Sequence, residues 1–137
     1  MWQCPDCNRK FGRTGQGHEC APAMDIAEYF ETGPDFEQPI FEVVVAHLQR
    51  LDPDVWFEPV SVGIFFKRRS VFLSLRTMTK WIAVGFQLDH KLDDGRLSRK
   101  VLENGRRYHH VVNVKKAADI DEQLLDWITE AWACDGG

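Results

Sequence analysis

Long hydrophobic runs are missing from this sequence: no stretch approaches the ~18 apolar residues of a membrane-spanning helix, so no membrane partner is expected. The opening residues, Met1-Trp2-Gln3-Cys4-Pro5, have neither the basic start nor the apolar stretch of a secretory signal, which points to a soluble, cytoplasmic protein. Cysteine is scarce and unevenly spread. Cys4, Cys7 and Cys20 sit near the N-terminus and Cys134 stands alone near the other end; in a reducing compartment this pattern suggests metal before disulfides. No nucleophile elbow, P-loop, dinucleotide fingerprint or paired-carboxylate motif is present, which argues against an enzyme. Internal repeats and low-complexity tracts are absent, and so are basic residues after Lys116.

What is present suffices for a folded domain. The 137 residues are 44% apolar, with nine Phe and five Trp, enough to bury a core and to exclude disorder. The net charge of -4 hides a segregation of charge. Residues 1–66 carry 4 basic and 11 acidic side chains, residues 67–116 carry 13 and 4, and the remainder carries none and 6. A basic central block is the footprint of an anion-binding face; its bland counterpart is acidic helices packed beside basic strands and neutralising them.

The first 22 residues are rich in Gly, Cys and basic side chains and poor in aliphatics, so they read as a separate small module ahead of a domain at 23–137. A short amphipathic piece, Met24 to Glu31, stops at Gly33-Pro34. From Asp35 the positions Phe36, Ile40, Val43, Val44, His47, Leu48 and Leu51 follow a helical period, with Asp35 as N-cap, Gln38 completing a capping box, and Asp52-Pro53 ending the helix. The period then becomes two: Val60, Val62, Ile64 and Phe66; Val71, Leu73 and Leu75; Ile82, Val84, Phe86 and Leu88. These are strands joined by turns at Arg68-Arg69-Ser70 and Thr79-Lys80. Asn104-Gly105 signals a hairpin whose two-residue loop pairs Glu103 with Arg106, Val101 with Tyr108, Arg99 with His110 and Leu97 with Val112. Asp119 with Glu122 caps a final helix whose stripe is Leu124, Leu125, Ile128, Ala131 and Trp132. The expected fold class is α+β: an antiparallel sheet of about five strands flanked by N- and C-terminal helices, preceded by a zinc knuckle.

Cys4-Pro5-Asp6-Cys7 is a C-x₂-C knuckle, and His18-Glu19-Cys20 follows across a loop containing Gly12, Gly15 and Gly17. Three thiolates and an imidazole complete a tetrahedral Zn²⁺ site. A closed Cys₃His shell leaves no open coordination position, so this zinc is structural and supplies the folding energy that so small a module lacks. Cys134 reads as a bystander, and Phe11 as a lid over the metal loop. The candidate anion-binding residues are Arg9, Lys10 and Arg13 on the knuckle; Lys67, Arg68, Arg69, Arg76 and Arg96 along the strands and their connections; and Arg99, His109 and His110 around the hairpin. On the expected register Arg99 and His110 share an otherwise apolar face, where they need a partner, an acidic side chain from a helix before an anionic ligand. His47 reads as a satisfied core residue.

Trp2-Gln3-Cys4-Pro5-Asp6-Cys7 with Phe11 and His18-Glu19-Cys20, followed by Tyr29-Phe30 and Gly33, resembles bacterial proteins that join a short zinc-finger-like segment to domain-of-unknown-function family 5655. The resemblance continues through Ile64-Phe65, Arg69, Phe72, Arg96, Tyr108-His109-His110, Asp121-Glu122, Trp127 and Glu130-Ala131. It implies no established activity, although some members are labelled predicted transport proteins. It also implies a polar site on the sheet built from Arg69, Arg96 and His109 or His110; Trp132 stands where the family usually carries Tyr.

The functional expectation is a non-enzymatic binding module with a structural zinc site, binding nucleic acid or another anion through its basic central sheet. The alternative is a protein-interaction or small-ligand pocket domain in which the knuckle is purely structural.

Overall fold

The structure, a computed structural model, describes residues 1–136; residue 137, the last of the expected second segment, lies outside the described residues. The knuckle is a two-stranded ribbon, β1 (Trp2–Gln3) and β2 (Lys10–Phe11), with Trp2 opposite Phe11. Helix α1 (Ile26–Glu31) follows, capped by the Asp25 carboxylate accepting from the Ala27 N–H at 2.9 Å. Helix α2 (Glu37–Leu51) ends at Asp52, ahead of Pro53. Its N-terminus differs from expectation. Phe36 precedes the helix with no side-chain cap, the Glu37 N–H bonds the Pro34 carbonyl, and Gln38 donates to Glu42 at 3.2 Å instead of closing a capping box.

Strands β3 (Trp56–Val60), β4 (Gly63–Lys67), β5 (Val71–Thr77), β6 (Ile82–Leu88), β7 (Leu102–Asn104) and β8 (Arg107–Val114) form one antiparallel sheet in the order β3-β4-β5-β6-β8-β7. The turns at 68–70 and 79–80 fall where expected. The alternation from Val60 to Phe66 is not one strand, however. Val60 pairs with Gly63 across a tight turn, Val62 is exposed at its tip, and residues 56–60 form an additional edge strand. Its Glu58-Pro59 pair hid it, since proline and buried charge are both rare within strands. A 3₁₀ turn (Ala117–Asp119) leads into α3 (Glu122–Gly136). Asp121, not Asp119, caps α3 by accepting from the Leu124 N–H at 3.0 Å, while Asp119 accepts from the Lys115 N–H.

Helices α2 and α3 cover one sheet face, packing Ile40, Val44, Leu48, Leu124, Ile128 and Ala131 against Ile64, Phe66, Leu73, Leu75, Val84, Phe86 and Val112. No helix among the described residues covers the opposite face. There Phe65, Ser74, Gly85 and Val111 lie in one cross-strand row, and His109 follows two residues before Val111 on the same face.

The hairpin register is shifted. Asn104 pairs with Arg107 and Glu103 with Tyr108, so the loop is Gly105-Arg106, with Gly105 at φ +64° and Asn104 outside the left-handed region. A glycine in the first loop position suits this turn because only its φ must be positive. Leu97 still bridges Val112. Two extra residues therefore lie between Leu97 and Leu102, and this irregularity takes Arg99 away from the expected pairing with His110.

Candidate functional site

The Cys4 turn and the His18 segment bring four ligand atoms together. The sulfurs of Cys4, Cys7 and Cys20 and a His18 ring nitrogen all lie within 4.8 Å of one another. Cys4 Sγ is 3.5 Å from Cys20 Sγ and Cys7 Sγ is 3.4 Å from His18 Nε2, close to the edges of about 3.8 Å of a tetrahedron with ~2.3 Å metal–sulfur bonds. Asn8, at φ +62°, closes the turn that carries the first two cysteines, its N–H bonded to the Cys4 carbonyl at 2.9 Å. His18 Nδ1 lies 2.7 Å from the Gln16 carbonyl. That oxygen accepts from Nδ1–H, which fixes the proton on Nδ1 and leaves the Nε2 lone pair for a metal, the outer hydrogen bond expected of a metal-ligating histidine. Phe11 stacks on the imidazole at 4.0 Å. The Cys7 backbone N–H, directed at Cys4, lowers that thiol to about 6, whereas Cys20, hydrogen-bonded to Cys4, is pushed up to about 12. Cys4 is thus biased toward its thiolate, and Cys20 is held as a thiol chiefly by its hydrogen bond to Cys4 and by burial; a bound cation would replace that shared proton. This donor set fits a closed four-coordinate metal site.

The knuckle is docked on the sheet edge by Glu58, whose side chain is 0% exposed. Its carboxylate accepts from Arg9 Nε at 3.0 Å, the Lys10 N–H at 2.8 Å, Trp56 Nε1 at 2.7 Å and Lys67 Nζ at 2.8 Å. Lys67 also donates to the Lys10 carbonyl and lies over the Phe11 ring. Burial pushes Glu58 up, but Lys67 and the Trp56 and Lys10 donors outweigh it and hold the acid below its ordinary value. Burial draws Lys67 down against the opposing pull of Glu58.

The remaining candidates are dispersed. Arg9 and Lys67 are consumed by Glu58; Lys10 lies over Trp56, and Arg13 is exposed on the metal loop. Arg68 stacks on Trp132 at 3.9 Å and donates to its carbonyl at 3.1 Å. The Arg69 and Ser70 N–H groups bond to Asp135, a buried carboxylate at the end of α3. Arg96 bonds Asp121 at 2.7 Å and the Asp119 carbonyl at 3.1 Å, pinning the β6–β7 connection to α3. His110 faces the helices, stacked on Phe86, its Nε2 accepting from the Leu92 N–H at 3.0 Å. Burial keeps it neutral by lowering its pKa. Its partner is a backbone amide, not the acidic side chain expected. His47 bonds Thr129 at 2.7 Å and ties α2 to α3.

Three candidates do come together, on the open face. Arg76, Arg99 and His109 surround a hollow of about 330 Å³ whose lining includes Phe65, Ser74 and Gly85. Burial, followed by the positive charge of Arg99 and, more weakly, that of Arg76, lowers the His109 pKa. Gly85 is required for the hollow: a Cβ there would lie 2.7 Å from Ser74 Oγ and 2.9 Å from the His109 ring. Residue-by-residue reading missed Ser74 and Gly85, whose signal is their small size in the middle of apolar strands. It also missed Glu58 and Asp135, the charged residues whose partners are distant in sequence.

An antiparallel sheet with helices on one face and a Cys/His cluster docked at its first edge defines a small α+β protein with a candidate metal knuckle. The chain belongs to the family described as a domain of unknown function, DUF5655, which it matches over residues 26–134. No curated protein and no solved structure matches it. The metal cluster precedes the matched segment, whereas the open-face hollow lies within it. No helix among the described residues is long and apolar enough to cross a membrane.

Proposed function

We propose that the protein is a non-enzymatic binding module in which Cys4, Cys7, His18 and Cys20 hold a structural zinc ion and the open sheet face takes a phosphate-bearing partner, nucleic acid foremost. The observation that carries this reading is the convergence of Arg76, Arg99 and His109 around a floor kept low by Gly85 and Ser74. The two guanidinium groups supply phosphate contacts, Phe65 offers a ring for a base to stack on, and Ser74 adds a hydroxyl. Zinc contributes ligation energy that holds residues 1–20 in place; the knuckle in turn covers the Glu58–Lys67 pair at the first edge.

The test is binding of zinc-loaded protein to short single-stranded and duplex DNA and RNA, followed by tryptophan fluorescence across a salt series. Saturable binding that weakens with salt and is lost in an Arg76→Ala/Arg99→Ala variant is the expected result. Absence of binding at low salt overturns the nucleic-acid reading. The volume of the hollow favours a second reading, a small anionic ligand, because about 300 Å³ is the lower end for small-molecule sites. In that case inorganic phosphate or a mononucleotide binds and the strands do not.

A further inference from the structure

We infer that the cleft between the α1–α2 connection and the β3–β4 turn is a second binding site, which takes a primary alkylammonium group on the carboxylate of Glu37. Glu37 opens α2 and is 3% exposed. Among the described residues no cationic side chain forms an ion pair with it. A carboxylate this deeply buried is ordinarily paired, because an isolated buried charge is costly. Glu37 instead faces a hollow of about 300 Å³ lined also by Met24, Tyr29, Pro34, Ser61 and Thr77. Its Oε2 stands 3.0 Å from where a Cβ on Gly33 would be, so the glycine leaves room for the acid at the wall of the cleft.

The other lining groups select the class of cation. Tyr29 Oη and Thr77 Oγ1 are 3.1 Å apart. Burial first, then a hydrogen bond to the Glu37 carboxylate, raises the Tyr29 pKa, so the phenol stays neutral, donates to the acid and keeps its oxygen to accept from an ammonium group. One carboxylate and hydroxyl oxygens match the three donors of an ammonium head. They are too few and too neutral for a divalent metal, which requires several charged or carbonyl oxygens or soft ligands. Met24, Pro34 and the Tyr29 ring give an apolar wall for a methylene stem. The cleft is separate from both the metal cluster and the open-face hollow, so this inference does not rest on the function proposed above.

The experiment is a two-dimensional NMR titration of the full zinc-loaded chain with n-butylamine at neutral pH, with n-butanol and butyrate as neutral and anionic probes of matched size. Saturable shifts of the Gly33, Ser61 and Thr77 amides with the amine alone, weakened at least tenfold by Glu37→Gln, are expected. Ser61→Arg, at the exposed rim, covers the possibility that Glu37→Gln disturbs folding: it supplies a competing cation and weakens the amine to a similar degree. Equal responses to all three probes, no saturable response to the amine, or full amine binding by a folded Glu37→Gln protein overturns the inference.

Discussion

Replacing Glu58 by Leu tests how the knuckle is held to the sheet. The substitution puts an apolar side chain of similar size in place of the carboxylate but leaves Lys67, 4% exposed, without its counter-charge, and strands the Lys10 N–H and Trp56 Nε1 donors. Breaking a buried pair by removing one partner costs ~3–5 kcal/mol, and the stranded donors add up to about 1 kcal/mol each where water cannot reach them. A total of about 5 kcal/mol follows, which for a chain of this size lowers Tm by roughly 18 °C. The assay is chemical and thermal unfolding of zinc-loaded protein, with Lys67→Met and Glu58→Leu/Lys67→Met completing a double-mutant cycle. The double variant carries no unpaired buried charge and should recover at least half of the loss. Because Glu58 titrates below its ordinary value when folded, the parent's contribution from this acid is complete above about pH 4.3 and is lost as pH falls through the depressed folded value. A single-variant cost below about 1 kcal/mol, or a double variant no more stable than Glu58→Leu, would refute the reasoning.

Three further outcomes are expected. Stripping the metal with a strong chelator, or Cys7→Ser, abolishes hydrogen-exchange protection in residues 1–20 while the main cooperative unfolding transition persists at a lower midpoint; loss of that transition contradicts this. Asp135→Ala removes the acceptor for the Arg69 and Ser70 N–H groups and the Ser70 hydroxyl and costs ~2–4 kcal/mol by urea unfolding, whereas a change below about 0.5 kcal/mol would show that α3 is held by packing alone. His47, His109 and His110 all have pKa values lowered mainly by burial. Their contribution is complete above the unfolded value of about 6.5 and is lost as pH falls through the folded values. The urea midpoint should therefore fall between pH 7.5 and 5; a flat profile is the contrary result.

Local information was legible in the sequence and non-local information was not. The Cys/His cluster, four candidate metal ligands, could be read because ligand spacing is a local property: two lie on one turn and two flank a single residue. Helix α2 could be followed to Asp52 because its apolar period runs into Pro53. Strand β3 was hidden because its two odd residues, Glu58 and Pro59, make sense only in three dimensions. Glu58 receives donors from Arg9 and Lys10, 48–49 residues away, and the Pro59 carbonyl accepts from the Met24 N–H at 2.8 Å. The position of Arg99 was illegible for a related reason. The turn signal at Asn104-Gly105 was genuine, but the pairing formed one residue later, and the slack between Leu97 and Leu102 moved the arginine into the company of His109.

The basic block from residue 67 to 116 also changes meaning once its members are placed. Lys67 balances Glu58, Arg96 balances Asp121, and Arg68 and Arg107 donate to the Trp132 and Cys134 carbonyls at the end of α3, where cations oppose the helix dipole. Four of the thirteen cations in this block therefore assemble the fold, as expected if acidic helices pack beside basic strands. Arg76 and Arg99 are the cations that share the open-face hollow, while His109 is biased toward its neutral form. Two phosphate contacts on a single strand correspond to a slope of about -1.4 in log affinity against log salt. A slope near that value, reduced by removal of either arginine, locates the anion in the hollow. A slope several times steeper requires a wider surface and places the partner elsewhere on the molecule.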